Sequence, residues 1–204
     1  QAKATRFVQC PPMIARSLLL VFLAPFIVDA FPATAGAPQR GVRGIDVSSY
    51  QHPGGRPIDW KQVANAGYSF AFIKATEGSA YVNRFFRADW TQAAAAGLLR
   101  GGYHFARPSL PVAQSAQRQA AFFVRLLKAV GMQGSLPPVL DLEQTGGLSP
   151  SQLRTWTVTF LRSVQSLTGQ TPILYTGFFF FRGQAGNPPT SQFPLWLAWA
   201  TKQN

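Results

Sequence analysis

The chain has 204 residues, 47% of them hydrophobic and 13% aromatic, enough for one sizeable domain and not comfortably for two. Its formal charge is +12, yet the basic residues are scattered and form no Lys/Arg run, which argues against a nucleic-acid arm and leaves a basic surface suited to a polyanionic envelope. Its one cysteine, Cys10, precedes the first apolar run, so a mature domain has no thiol chemistry and no disulfide; with only two histidines it also has no zinc ligand set, and neither metal nor cofactor is expected.

Residues 1–12 contain no Met and precede Met13, and they read as an upstream segment without assigned structure. Residues 13–37 read as a secretory signal peptide: Arg16, the apolar run Ser17 to Val28, then small residues around Ala33 to Ala37. That run is too short to span a bilayer and contains Pro25. Residues 38–204 are then one domain, expected to be secreted, monomeric and free of the membrane once the signal is cleaved.

From Val42 the pattern alternates strand with helix. A strand over Arg43 to Ser48 is followed by a loop and a short helix with Asp59 at its N-cap and Gly67 beyond its end. The second strand, Ser69 to Thr76, leads into Glu77, and a helix capped by Asn83 runs to Gly97. The third strand, Leu98 to Ala106, carries Gly101 and Gly102, which suit a close backbone approach. A helix from Leu110 to Val130 shows one apolar stripe through Val112, Ala116, Ala120, Phe123 and Leu127.

The fourth strand, PPVLDLE from Pro137 to Glu143, is the most informative stretch. Side chains alternate across a strand, so Asp141 and Glu143 share a face with Val139 while Leu140 and Leu142 point the other way. Two residues of rise separate the two acids by about 6 to 7 Å of backbone, within the range where one carboxyl donates a proton and the other stays ionised. Next come a helix with a Ser149/Gln152 capping box and Pro150 at its first position, a strand from Pro172 to Gly177, the run Phe178 to Phe181, and a last strand from Leu195 to Thr201.

Strands alternating with helices argue for a parallel sheet flanked by helices, an α/β fold. No Gly-rich phosphate fingerprint follows the first strand, so a (β/α) barrel of TIM-like type fits better than an open sheet. Six strands are legible, and residues 38–204 fall short of the about 200 residues of a complete eight-unit barrel, so the barrel is expected to be C-terminally truncated. In such barrels the active site lies at the C-terminal strand ends, where Asp46, Glu77, Tyr103, Asp141, Glu143 and Tyr175 gather.

Plainer readings stand beside these. Asp46 could simply pair with Lys74, and Glu77 could be a turn residue before Gly78. Tyr103 and Tyr175 suit a core with wet hydroxyls as well as a cleft. Trp196 could stack on a sugar, whereas Trp199 and Phe193 suit a core. By parity His104 faces away from Tyr103 and reads as structural, His52 reads as loop, and the phenylalanine run reads as barrel packing.

Taken together, RGIDVSSYQ, IDWKQVANAGYSFAFIKATEG, GLLRGGYHFARP, PPVLDLE and PILYTG, with LWLAWA as a weaker echo, resemble the glycoside hydrolase family 25 lysozymes, the N-acetylmuramidases. The resemblance implies cleavage of the β-1,4 bond between N-acetylmuramic acid and N-acetylglucosamine in peptidoglycan. It implies Glu143 as general acid/base, Asp141 as the carboxylate that orients the substrate's 2-acetamido group for net retention, and Asp46 in the charge network. Glu77, Tyr103 and Tyr175 would line the cleft. An aspartate that the family carries near its last strand has no counterpart here, so a non-catalytic peptidoglycan-binding module is the alternative. A chitinase-like D-x-x-D-x-D-x-E motif is excluded, because Leu136 and Val139 occupy its earlier acidic positions.

Overall fold

The computed structural model describes residues 4–5, 41–188 and 190–199. Along the chain an edge strand β1 (Ala4–Thr5) is followed by β2 (Gly44–Val47), α1 (Trp60–Asn65), β3 (Phe70–Glu77), β4 (Tyr81–Val82), α2 (Phe86–Ala95) and β5 (Leu99–Phe105). Then come α3 (Val112–Val130), β6 (Val139–Asp141), α4 (Pro150–Thr168), β7 (Ile173–Gly177), α5 (Phe178–Gly183) and β8 (Leu195–Ala198). The parallel strands neighbour one another in chain order, β2-β3-β5-β6-β7-β8. A doubly wound sheet would reverse that order at a switch point; here the winding never reverses, and the sheet curls into a half-barrel with its helices.

Two elements were not anticipated. Within the 1–12 segment, Ala4–Thr5 pairs antiparallel with Ile45 and Gly44, and β4 folds back antiparallel on the end of β3. The signal-peptide expectation for residues 13–37 lies outside the described residues.

Strand parity divides the molecule into two apolar clusters. Ile45, Val47, Ala71, Ile73, Leu140, Leu142 and Leu174 face the helices and pack with Trp90, Phe123, Leu127, Trp156 and Phe160. Phe70, Phe72, Val139, Ile173 and Trp196 fill the opposite, inner face. Phe72 lies across β5 where Gly101 stands: a Cβ there would meet the ring at 2.3 Å. The close approach expected of GlyGly in β5 is therefore real, since any side chain at Gly101 would expel the ring that floors the inner face.

Helix ends follow local chemistry, with one correction. Ser149 and Gln152 form the expected capping box on α4, and Gly169 closes it in the left-handed region at φ 73°. α2 begins at Phe86 instead of directly after Asn83. Asn83 caps the turn that leads into it: its Oδ1 accepts from the Phe85 N–H at 3.2 Å and its carbonyl from the Phe86 N–H at 3.0 Å, while its Nδ2 donates to the Lys74 carbonyl at 2.8 Å and its N–H to the Ala75 carbonyl at 2.9 Å. The phenylalanine run also departs from expectation, forming α5 with Phe179 82% exposed, while Phe193 is buried and Trp199 exposed.

Both histidines are buried. His104 faces the helices as parity requires; the Thr76 hydroxyl donates to its Nδ1 at 2.8 Å and its Nε2 donates to Gln119 Oε1 at 3.0 Å. The loop reading of His52 is incomplete. Its Nδ1 donates to the Arg56 carbonyl at 2.8 Å, its Nε2 lies 2.9 Å from Asp89 Oδ2, and its ring stacks on Phe85 at 3.8 Å. Asp89 also accepts from Trp60 Nε1 at 3.1 Å, so one buried carboxylate joins the loop after β2 to α1 and α2.

Burial lowers the His104 pKa to about 4, with the Gln119 hydrogen bond acting the other way. A depressed histidine contributes stability above the unfolded value of about 6.5 and loses it as pH falls toward 4. The loss amounts to about 3 kcal/mol. The His104 ring resonances are expected to titrate with a midpoint near 4 in an NMR pH series.

Candidate active site

The site is built on β6 and its neighbours. Leu140 and Leu142 are fully buried against the helices, which turns Val139, Asp141 and Glu143 into a cavity of about 330 Å³. The Leu142 N–H donates to the Tyr175 carbonyl at 2.9 Å, extending the pairing past the end of β6 and holding Glu143 in phase with Asp141. Two cross-strand rows supply most of the lining. One runs Lys74, Tyr103, Val139; the other runs Phe105, Asp141, Tyr175, Trp196. Asp46, Ser48, Tyr50 and Gln51 close the β2 side.

Depth separates the two acids of β6. Asp141 is buried and its Oδ1 has no hydrogen-bond partner among the described residues, whereas Glu143 is exposed at the rim. Burial first, then the charge of Glu143, pushes the Asp141 pKa well above the ordinary carboxylate range; Lys74 pulls it back, and Asp46 and Glu77 push it further up. Tyr103 and Tyr175 are both raised, chiefly by burial and next by the surrounding carboxylates, so each remains a neutral hydroxyl donor.

Of the residues expected at the site, Asp46, Tyr103, Asp141, Glu143, Tyr175 and Trp196 meet in this cavity. Glu77 does not line it. The register of β3 shifts between Lys74 and Thr76, and this bulge returns Glu77 to the face of Lys74, where Oε2 accepts from Lys74 Nζ at 2.5 Å. On its other oxygen Glu77 accepts from Arg107 Nε at 2.8 Å and Nη2 at 2.5 Å. Burial alone would raise its pKa, but these hydrogen bonds and charges prevail and lower it.

Lys74, Phe105, Ser48, Tyr50 and Gln51 are lining residues that the sequence reading did not place in the site. Parity could have found the first two, since Lys74 alternates with Phe72 and Phe105 with Tyr103. Gln51 and Ser48 depend on a short 3-10 turn in which the Ser48 N–H donates to Gln51 Oε1 at 2.7 Å. Among the described residues no group of three or more His, Cys, Asp or Glu could hold a metal ion.

Comparison with known proteins agrees with this architecture. The family model described as glycosyl hydrolases family 25 matches residues 45–204. Lysozyme M1 of Streptomyces globisporus is 38% identical over 171 residues, covering 79% of this chain and 56% of that protein. The N,O-diacetylmuramidase of Arthroderma benhamiae is 35% identical over 196 residues, covering 91% of this chain and 80% of that protein. The crystal structure of the bacterial lysozyme from Streptomyces coelicolor superposes with a TM-score of 0.70 at 35% identity, covering 80% of this chain and 77% of that one. The chain spans only a little over half the length of several curated bacterial relatives that it matches. It belongs to glycosyl hydrolase family 25.

The electrostatics carry a stability consequence. A carboxylate whose folded pKa is raised stabilises the fold most below its unfolded value and costs stability as pH rises through the folded value. Asp141→Asn is therefore expected to raise the Tm at neutral pH, with the gain over the parent vanishing near pH 3. Thermal melts across pH check this.

Proposed function

We propose that the chain is a lysozyme: a secreted glycoside hydrolase that cuts the β-1,4 bond between N-acetylmuramic acid and N-acetylglucosamine in peptidoglycan. Family membership supports the reaction class. The observation that carries the reading is the arrangement of Asp141 and Glu143 on one side of one cavity, the first deep and the second at the rim.

Those depths fit two roles. Glu143, at the rim, gives its proton to the glycosidic oxygen as the bond to the anomeric carbon breaks. The oxygen of the substrate's own 2-acetamido group attacks that carbon from the opposite face, so no protein nucleophile is needed. Asp141, in its ionised form, orients the acetamido N–H and offsets the positive charge that develops on the ring it forms. Glu143, now a carboxylate, takes a proton from water, which attacks the same carbon and restores the acetamido group with net retention.

The neutral hydroxyls of Tyr103 and Tyr175 can donate to substrate oxygens without adding charge. Asp46 belongs to the same charge network, and Trp196, in edge contact with Tyr175 at 4.9 Å, backs the wall where a sugar would stack. The formal charge of +12 favours approach to an anionic wall. The apolar run at residues 17–28 supports export to where that wall lies, and peptidoglycan is the partner this reading requires.

Glu143→Gln removes the proton donor at nearly constant volume. Clearing of a cell-wall suspension by the variant is expected to fall by about a thousandfold, with wall binding retained in a pull-down. A variant that clears walls as fast as the parent removes Glu143 from the mechanism. A parent that binds walls without clearing them favours the binding-module alternative.

A further inference from the structure

Arg107 lies just beyond β5, outside the cavity, with its side chain 48% exposed. Its backbone is gripped by the buried Gln119 of α3: the Arg107 N–H donates to Gln119 Oε1 at 3.1 Å, and its carbonyl accepts from Gln119 Nε2 at 2.6 Å. From that fixed base the guanidinium reaches two targets. Nε and Nη2 donate to Glu77 Oε1, and Nη1 donates to Oε1 of Gln144, the residue that follows Glu143. Glu77 in turn holds Lys74, whose ammonium lines the cavity. Both cations flank the Phe105 ring, at 4.7 Å for Lys74 and 4.9 Å for Arg107.

We propose that Arg107 is a positioning residue for the two carboxylates of β6, acting through Glu77 and Lys74 on Asp141 and through Gln144 on Glu143. The proposal rests on the hydrolase reading above. Ion pairs this exposed contribute little to folding stability, so a strong effect of Arg107 on turnover would come from its action on the site.

The charge count shows how. Asp141 faces Glu143 beyond its own strand, Lys74 and Glu77 from β3, and Asp46 from β2, with the neutral hydroxyls of Tyr103 on β5 and Tyr175 on β7. That is three acids against one cation. Arg107 offsets the charge of Glu77, so that the Lys74 ammonium, though bonded to Glu77, still acts on Asp141; without Arg107, Asp141 would hold its proton to higher pH. The second arm is mechanical. A fork that grips Glu77 and Gln144 together limits how far the backbone carrying Glu143 can drift from the rim, and small misplacements of a proton donor are costly in rate.

The test compares the parent with Arg107→Ala, Arg107→Lys and Gln144→Ala on purified peptidoglycan, measuring kcat, KM, the pH–rate profile and Tm. Arg107→Ala is expected to lower kcat about tenfold, to keep KM within about twofold, and to move the profile to higher pH with Tm near that of the parent. Arg107→Lys keeps the charge and should return the profile to the parental position with kcat only partly restored. Gln144→Ala should lower kcat without moving the profile.

An Arg107→Ala enzyme with parental kcat and profile overturns the proposal, as does a loss of activity that follows Tm alone. If the parent itself binds peptidoglycan without turning it over, the hydrolase reading fails by itself. The carboxyl titration of Asp141 by NMR then still tests the charge arm: an upward shift in Arg107→Ala supports it, and an unmoved titration refutes it.

Discussion

Two leucines decide where the chemistry sits. Leu140 and Leu142 have no exposed surface, and burying each side chain is worth about 2 kcal/mol. A one-residue slip of β6 would bring both out of the helix-facing core and drive Asp141 and Glu143 into it. The fold therefore cannot keep its core without presenting both carboxylates to the inner cavity. Burial of one of them, costly in isolation, is carried by the apolar side of the same strand.

The consequences spread outward in layers. Phe72 across Gly101, together with Val139, Ile173 and Trp196, closes the cavity from below and lowers the local dielectric. Asp141 then feels the charge of Glu143, which adds to burial in raising its pKa. Around them the protein arranges charge with economy: Lys74 opposes the acids, Glu77 restrains Lys74, and Arg107 balances Glu77 from outside. The tyrosines contribute donors and no charge. A buried carboxylate beside one that reaches the rim is the arrangement on which the proposed proton transfer to a glycosidic oxygen relies.

Much of this was legible in the sequence because it depends on periods of two and on local caps. The six parallel strands, the outward histidine at 104, the α4 capping box and the shared face of Asp141 and Glu143 all follow from side-chain alternation or from contacts within four residues. What escaped depends on distant partners. Counting alternation places Glu77 opposite Lys74, and only the bulge between them, held by Asn83 from the next segment, reverses that. His52 sits in a Gly- and Pro-rich stretch that reads as loop, yet its partner Asp89 is 37 residues away on α2. Asn83 caps the turn before α2 and also anchors the bulge, a distant partner that its sequence neighbours do not show, and the regular helix starts at Phe86. The aromatic run 178–181 has the composition of a core and forms a short helix, because Gly177 ends β7 immediately before it.

The coupling of the two carboxylates within one cavity is tested most directly by observing the side-chain carboxyl carbons of Asp141 and Glu143 by NMR across a pH series, in the parent and in Glu143→Gln. The account predicts an Asp141 midpoint well above 3.8 that falls when the charge at position 143 is removed. An Asp141 that titrates near 3.8 in the parent, indifferent to the residue at 143, would contradict it.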